Sequence, residues 1–151
     1  LVSLLAAMVI QLLLVGGGED QDAVDAKIKA LGLAGRVQQA GVQGNIPAYM
    51  NAFDLFLLPS NFEGSPVTLV EAQGCGVPCL ASTNVPNDGS VTELVHFMPL
   101  TAPFGEWAQA ADAAAPGGAH KDYWPVLAAH GYELKAAAHN MEKLYDTLVR
   151  S

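Results

Sequence analysis

The chain has 151 residues, half of them hydrophobic and only 15% charged, with 15 acidic against 7 basic side chains and a net charge of −8. That length suits one ordinary domain with a single well-filled core, and the apolar content argues against disorder. With no Lys/Arg cluster to displace counterions from a phosphate backbone, nucleic acid and an anionic membrane surface are not expected partners.

Leu1 to Val15 is almost wholly apolar and, taken alone, could pass for a signal-peptide core or a short anchor. It has no basic leading segment, Ser3 and Gln11 interrupt it, and it stops short of the roughly 20 residues of a spanning helix. It reads as a helix over Leu1–Ile10 followed by a buried strand. The absence of an initiator Met suggests a fragment, or a mature chain numbered from an internal point.

Gln11 to Val15 reads as a parallel strand stopped by Gly16-Gly17-Gly18, after which Asp20 or Asp22 can cap a helix running to about Leu31. Val37 to Ala40 is a second short strand, Ile46 to Ala52 a short helix, and Leu55 to Leu58 a third strand ending at Pro59. A helix over Val67 to Gly74 and a strand over Pro78 to Ala81 come next. A weaker strand follows near Leu94 to Phe97. The remainder is helical from about Phe104 to Leu148, broken at Pro116-Gly117-Gly118 and near Gly131, with Glu133 to Val149 the clearest helix. Alternating strands and helices predict an α/β, Rossmann-like fold: a parallel sheet with helices on both faces, its ligands at the carboxyl edge of the strands. The triglycine and the Ser60–Pro66 loop both fall at that edge.

The glycines at 16 and 17 either make a tight strand-to-helix turn or let backbone approach a ligand; neither a dinucleotide fingerprint nor a Walker A loop is completed. Glu19, Asp20 and Asp22 suit helix capping better than a hard-metal site. His96, His120, His130 and His139 are dispersed, and no Gly-x-Ser-x-Gly elbow is present. Trp107, Tyr123, Trp124 and Tyr132 read as core or helix-docking residues. Cys75 and Cys79, the only cysteines, are spaced C-x3-C without a second pair or a nearby histidine, so they read as reduced core thiols in a cytosolic compartment.

The most informative stretch is Phe62-Glu63-Gly64-Ser65-Pro66-Val67-Thr68-Leu69-Val70-Glu71-Ala72. One carboxylate precedes a helix start and a second follows about a turn inside it. The helix terminus favours phosphate through its unpaired N–H groups and dipole, while carboxylates accept hydrogen bonds from sugar hydroxyls. The plain alternative is a solvated loop carboxylate and a helix residue complementing a dipole. Against it, Glu71 sits among apolar neighbours that suggest a mostly buried helix, where a carboxylate needs partners.

Glu63-Gly64-x-Pro66-x-x-x-x-Glu71-Ala72, followed by Gly74-x-Gly76-x-Pro78, resembles the signature of retaining glycosyltransferases of the group 1, or family 4, type with GT-B architecture. Leu12-Leu-Leu-Val-Gly-Gly-Gly-Glu and Phe53-Asp-Leu-Phe-Leu-Leu-Pro-Ser-Asn-Phe-Glu-Gly extend the match. Glu93-Leu-Val-His-Phe-Met-Pro-Leu is similar to members that build capsular or exopolysaccharide. The resemblance implies the C-terminal, donor-binding half of such an enzyme, with the N-terminal acceptor domain absent. It implies that Glu71 holds the ribose and that Glu63, the one candidate for a catalytic role, meets the donor sugar. Gly64, Ser65, Pro66, Val67 and Thr68, with Gly16 and Gly17, would line the sugar and diphosphate. The donor would be a nucleoside diphosphate sugar such as a UDP-sugar, the acceptor a glycan or lipid-linked glycan, and no metal or other cofactor is expected. The full-length protein would be cytoplasmic, with peripheral association at the inner face of the plasma membrane.

One departure stands beside these matches. The family's Gly-Arg and lysine, which hold the diphosphate, have no counterpart, since no basic residue precedes Lys27. The isolated chain is therefore expected to be inactive, and a silent nucleotide- or partner-binding module or a nucleotide-sugar epimerase remain the alternatives.

Overall fold

The computed structural model describes residues 10–115, 117 and 119–149. The expected helix over Leu1–Ile10 thus lies, apart from Ile10, outside the described residues. Along the described chain, β1 (Leu12–Val15), α1 (Gln21–Ala30), β2 (Val37–Gly41), α2 (Ile46–Met50), β3 (Phe56–Leu58), α3 (Val67–Gly74), β4 (Cys79–Ser82) and β5 (Val95–Met98) alternate before three helices. These are α4 (Phe104–Ala114), α5 (Trp124–Ala129) and α6 (Leu134–Val149).

All strand pairings are parallel, Leu12 standing opposite Val37, Phe56 opposite Cys79 and Cys79 opposite Val95. Every residue of β4 is buried, which explains why Cys-Leu-Ala-Ser carries no apolar–polar alternation: a central parallel strand is covered on both faces. On one face Phe56, Leu58, Cys79, Ala81, Val95 and Phe97 pack around Leu69 and Ala72 of α3. On the other, Leu55, Leu57, Leu80 and Met98 meet Trp107, Ala108 and Ala111 of α4. A smaller cluster joins Leu12, Leu14 and Val37 to Val24, Ile28 and Leu33 beneath α1. Full burial of Leu69 and Leu80 is worth about 1.5–3 kcal/mol each before entropy is counted.

Helices α1 and α3 end alike. Gly32 and Gly76 take φ of 65° and 72°, and the following Leu33 and Val77 N–H groups donate back to Ile28 and Ala72 carbonyls, the left-handed C-terminal turn that glycine permits. At Gly76 the site is closed for a second reason. A Cβ there would stand 2.3 Å from the Lys121 carbonyl oxygen, so any other residue would displace the segment leading into α5.

The architecture is Rossmann-like, as the alternation predicts, but the strands form two sheets, β2-β1 and β3-β4-β5. A hollow of about 880 Å³ is lined by both Ile10–Val15 and Leu55–Leu58, and β1 and β3 are not paired with each other. Smaller differences have local causes. Asp20 occupies the cap position of α1 without a side-chain cap bond, whereas Asn45, not singled out from sequence, caps α2 by accepting from the Ala48 N–H at 3.3 Å. Between α4 and α5 the described residues from Ala115 to Tyr123 are non-helical, a longer connection than the sequence predicts. Glu133 lies just outside α6, because its carboxylate accepts from the Lys135 and Ala136 N–H groups at 3.0 and 2.6 Å and so caps the helix.

Candidate functional site

Strand β3 delivers the chain to its carboxyl edge, where Pro59 stops it and Ser60 to Pro66 turn it into α3. This turn is braced from within. Ser60 donates its hydroxyl to Glu63 Oε1 at 2.7 Å, and the Ser60 carbonyl accepts from the Ser82 hydroxyl at 2.5 Å. Ser82 is fully buried at the end of β4, so the brace is anchored in the core. Sequence reading missed both serines. Their signal is a small hydroxyl at the carboxyl end of two adjacent strands, where a turn needs polar partners.

Gly64, Ser65, Val67 and Thr68 are exposed and Pro66 is buried. Pro66 has no N–H to leave unpaired, and no side chain caps α3. The Val67 and Leu69 N–H groups donate to the Ser65 and Pro66 carbonyls at 2.9 Å, so the first turn offers outward its dipole and the Thr68 N–H. Glu71, expected to be mostly buried, is exposed. Helix α3 buries the stripe of Leu69, Ala72 and Gln73, and residue 71 falls on the opposite side of that stripe. Its carboxylate needs no internal partner. It does reach Cys75 electrostatically: burial, and secondarily the Glu71 charge, raise the Cys75 thiol above its ordinary pKa. Cys79, buried in β4, is pushed up to about 12 by desolvation alone. Both thiols are free, and Cys79 is an inert core group.

Behind the exposed face, Gln73 is fully buried and fully bonded. Its Nε2 donates to the Leu69 and Gly89 carbonyls at 2.9 and 2.8 Å, and its Oε1 accepts from Val91 N–H, Thr92 N–H and the Thr92 hydroxyl at 2.9–3.1 Å. One amide thus fixes α3 to the loop leading into β5. A polar residue inside Leu69–Gly76 was the available sign of it. Further round, Tyr123 donates its hydroxyl to Glu93 at 2.6 Å, and the Lys121 ammonium lies 5.0 Å from the Tyr123 ring centroid. The bond to Tyr123 is the main cause holding the Glu93 carboxyl below its usual range, and the same bond raises the phenol.

The remaining candidates lie apart. Gly16, with φ of 131°, Gly17 and Gly18 are exposed at the carboxyl end of β1, whereas the Glu63 turn follows β3 of the other sheet. Among the described residues no hydrogen bond or ion pair joins Glu63 to Glu71 or either to the glycines. The 880 Å³ hollow takes in Thr68 but none of Glu63, Glu71, Gly16 or Gly17, so it and the carboxylate face are different features.

The model of the family described as glycosyl transferases group 1 matches residues 2–111. The chain belongs to the group 1 glycosyl transferases. Among relatives of this family, EpsF of Bacillus subtilis (strain 168) is 34% identical over 126 residues, 82% of this chain and 33% of EpsF. The UDP-Gal:alpha-D-GlcNAc-diphosphoundecaprenol alpha-1,3-galactosyltransferase of Escherichia coli is 36% identical over 46% of this chain and 18% of its own. The crystal structure of Anabaena Alr3699/HepE in complex with UDP superposes with a TM-score of 0.73 at 22% identity, over all of this chain and 44% of that one. The chain thus spans a third or less of these two relatives and under half of the solved structure, whose Rossmann-like fold it shares.

Proposed function

We propose that this chain is the donor-binding domain of a retaining hexosyltransferase that moves a sugar from a UDP-sugar to a glycan or lipid-linked acceptor in surface polysaccharide synthesis, the acceptor domain lying outside these 151 residues. The observation that carries the reading is Glu71, exposed one turn inside an uncapped α3 terminus. A diphosphate at that terminus meets backbone donors and the positive end of the dipole, and Glu71 accepts from the two ribose hydroxyls. Glu63, held by Ser60, accepts from the hydroxyls of the donor sugar, with Gly64 to Thr68 along the diphosphate and Gly16 and Gly17 across the edge. Neither carboxylate is assigned proton transfer.

Helix donors in place of a cation mean that donor binding needs no metal. Bond cleavage needs positive charge on the departing diphosphate, and no basic residue precedes Lys27, so the domain alone binds without turnover. The UDP bound to HepE and the lipid diphosphate in the name of the E. coli relative support the donor and acceptor classes. Two free thiols, one of them buried, fit a cytoplasmic setting, including the inner membrane face where a lipid-linked acceptor would be met.

Calorimetric titration of the encoded protein with UDP and UDP-sugars tests this. Binding is expected, unchanged by EDTA and about tenfold weaker or more in Glu71→Ala, the loss of roughly one charge-assisted hydrogen bond. No binding, or wild-type affinity in Glu71→Ala, overturns it.

A further inference from the structure

Helix α3 presents its first turn without a side-chain cap, and its eight residues are too few to hold that turn by propensity alone. A serine or aspartate at the cap would steady the turn but would occupy an N–H group that a phosphate needs. The steadying contacts come from behind instead. Gln73 Nε2 bridges two carbonyls, that of Leu69 in the first turn of α3 and that of Gly89 in the β4–β5 connection, at 2.9 and 2.8 Å. Its Oε1 holds the next residues of that connection through the Val91 and Thr92 N–H groups and the Thr92 hydroxyl. Thr92 Oγ1 accepts in turn from the Leu94 N–H at 3.3 Å, so the network closes just before β5.

Gly89 is buried where this network pins it. A Cβ there would stand 3.3 Å from Val70 Cγ2 and 3.9 Å from Pro66 Cγ, so bare backbone of the connection lies against the proline that starts α3. Only a carboxamide supplies both halves of the bridge. A carboxylate lacks protons for the two carbonyls, and a carboxamide turned over would set nitrogen against two N–H groups and oxygen against two carbonyls. We propose that Gln73 is a positioning residue for donor binding: it clamps the β4–β5 connection onto α3, and the connection bears on Pro66 and Val70 and so fixes the Thr68 N–H and Glu71 in place. This role rests on the reading that the α3 terminus and Glu71 hold a nucleoside diphosphate. Gln73, fully buried, touches no ligand itself. Loosening the clamp lets the first turn leave its binding arrangement part of the time, and apparent affinity falls with the fraction lost.

Calorimetric titration of the encoded protein with UDP reads the number of sites and Kd separately. Loss of fold lowers the number of sites, whereas loss of positioning raises Kd in protein that is still folded. Gln73→Leu is expected to raise Kd about tenfold with the number of sites unchanged. Gln73→Glu is expected to recover most of that affinity at about pH 6, where a buried carboxyl is protonated and can donate to one carbonyl, and to lose it relative to the wild type by about pH 9. Gly89→Ala leaves every Gln73 bond in place and asks Val70 to give by a few tenths of an ångström. It is expected to weaken UDP binding about threefold and to add little in the Gln73→Leu background. Wild-type Kd in both Gln73→Leu and Gly89→Ala, with UDP bound by the wild type, overturns the inference and leaves the donor site standing. Fewer sites at unchanged Kd does the same, since it assigns Gln73 to stability alone. A wild-type protein that does not bind UDP overturns both.

Discussion

The two sheets differ in how they are held. The β3-β4-β5 sheet is sandwiched between α3 and α4, and its central strand is buried along its whole length. The β1-β2 sheet rests mainly on α1, with only Leu12 buried among its nine strand residues. A two-stranded parallel sheet covered, among the described residues, by one helix has little apolar area there to set against chain entropy, so its order leans on neighbours. The carboxylate face sits on the well-buried sheet and the triglycine on the weakly buried one. Half of the proposed donor site is thus preorganised by packing, and the other half depends on what joins the sheets.

The sharpest way to break this contrast is to cut equal side chains from both sheets. Leu80→Ala, in the centre of β4, is expected to lower unfolding free energy by about 3–5 kcal/mol in urea titration. Leu12→Ala is expected to cost about 2 kcal/mol or less, because the thinly covered site can collapse around the deletion. Equal losses would mean that both sheets unfold as one tightly packed body.

Gln73→Leu comes next. It keeps the side chain's bulk while orphaning the Gly89 carbonyl and the Val91 and Thr92 N–H groups, at an expected cost of about 2–3 kcal/mol by thermal melting. Exchange of the Val91 and Thr92 amides should rise with it while that of β1 does not change. An effect spread evenly over both sheets would contradict the local role.

The smallest effect is the pH response of the Glu93–Tyr123 clasp. Glu93 has a folded pKa below its unfolded value, so its contribution is present above the ordinary carboxylate range and fades as pH falls through the folded value. Tyr123 has a raised folded pKa, so its contribution is complete below about 10 and fades as pH rises through the folded value. Melting temperature against pH should therefore lose a small acid limb and a small alkaline limb together in Glu93→Gln. Loss of neither limb would show that the bond contributes nothing measurable.

The parts legible in the sequence are those set by local chemistry. Val67–Gly74 lies between Pro66 and Gly76, and the structure keeps those bounds because a proline start and a left-handed glycine stop are written into neighbouring residues. Strand existence followed from apolar runs between turn residues. Whether two strands touch does not, and the separation of β1 from β3 left no mark on either run. The misjudged burial of Glu71 has a similar origin: apolar neighbours in sequence were taken for neighbours in space, whereas a helix sends residues 69, 72 and 73 inward and 71 outward. Ser60, Ser82 and Gln73 were missed because their partners are 3 to 22 residues away and no spacing rule joins them.

Gln73 also offers a use unconnected with stability. Its carboxamide protons are shut away from water, bonded to two carbonyls, and two positions along the helix from Glu71. In a 15N-edited spectrum they should form an isolated, slowly exchanging pair, a built-in reporter on the back of α3. A ligand settling on the front would shift that pair without touching it, so occupancy could be followed from inside the core with no label attached to the donor face.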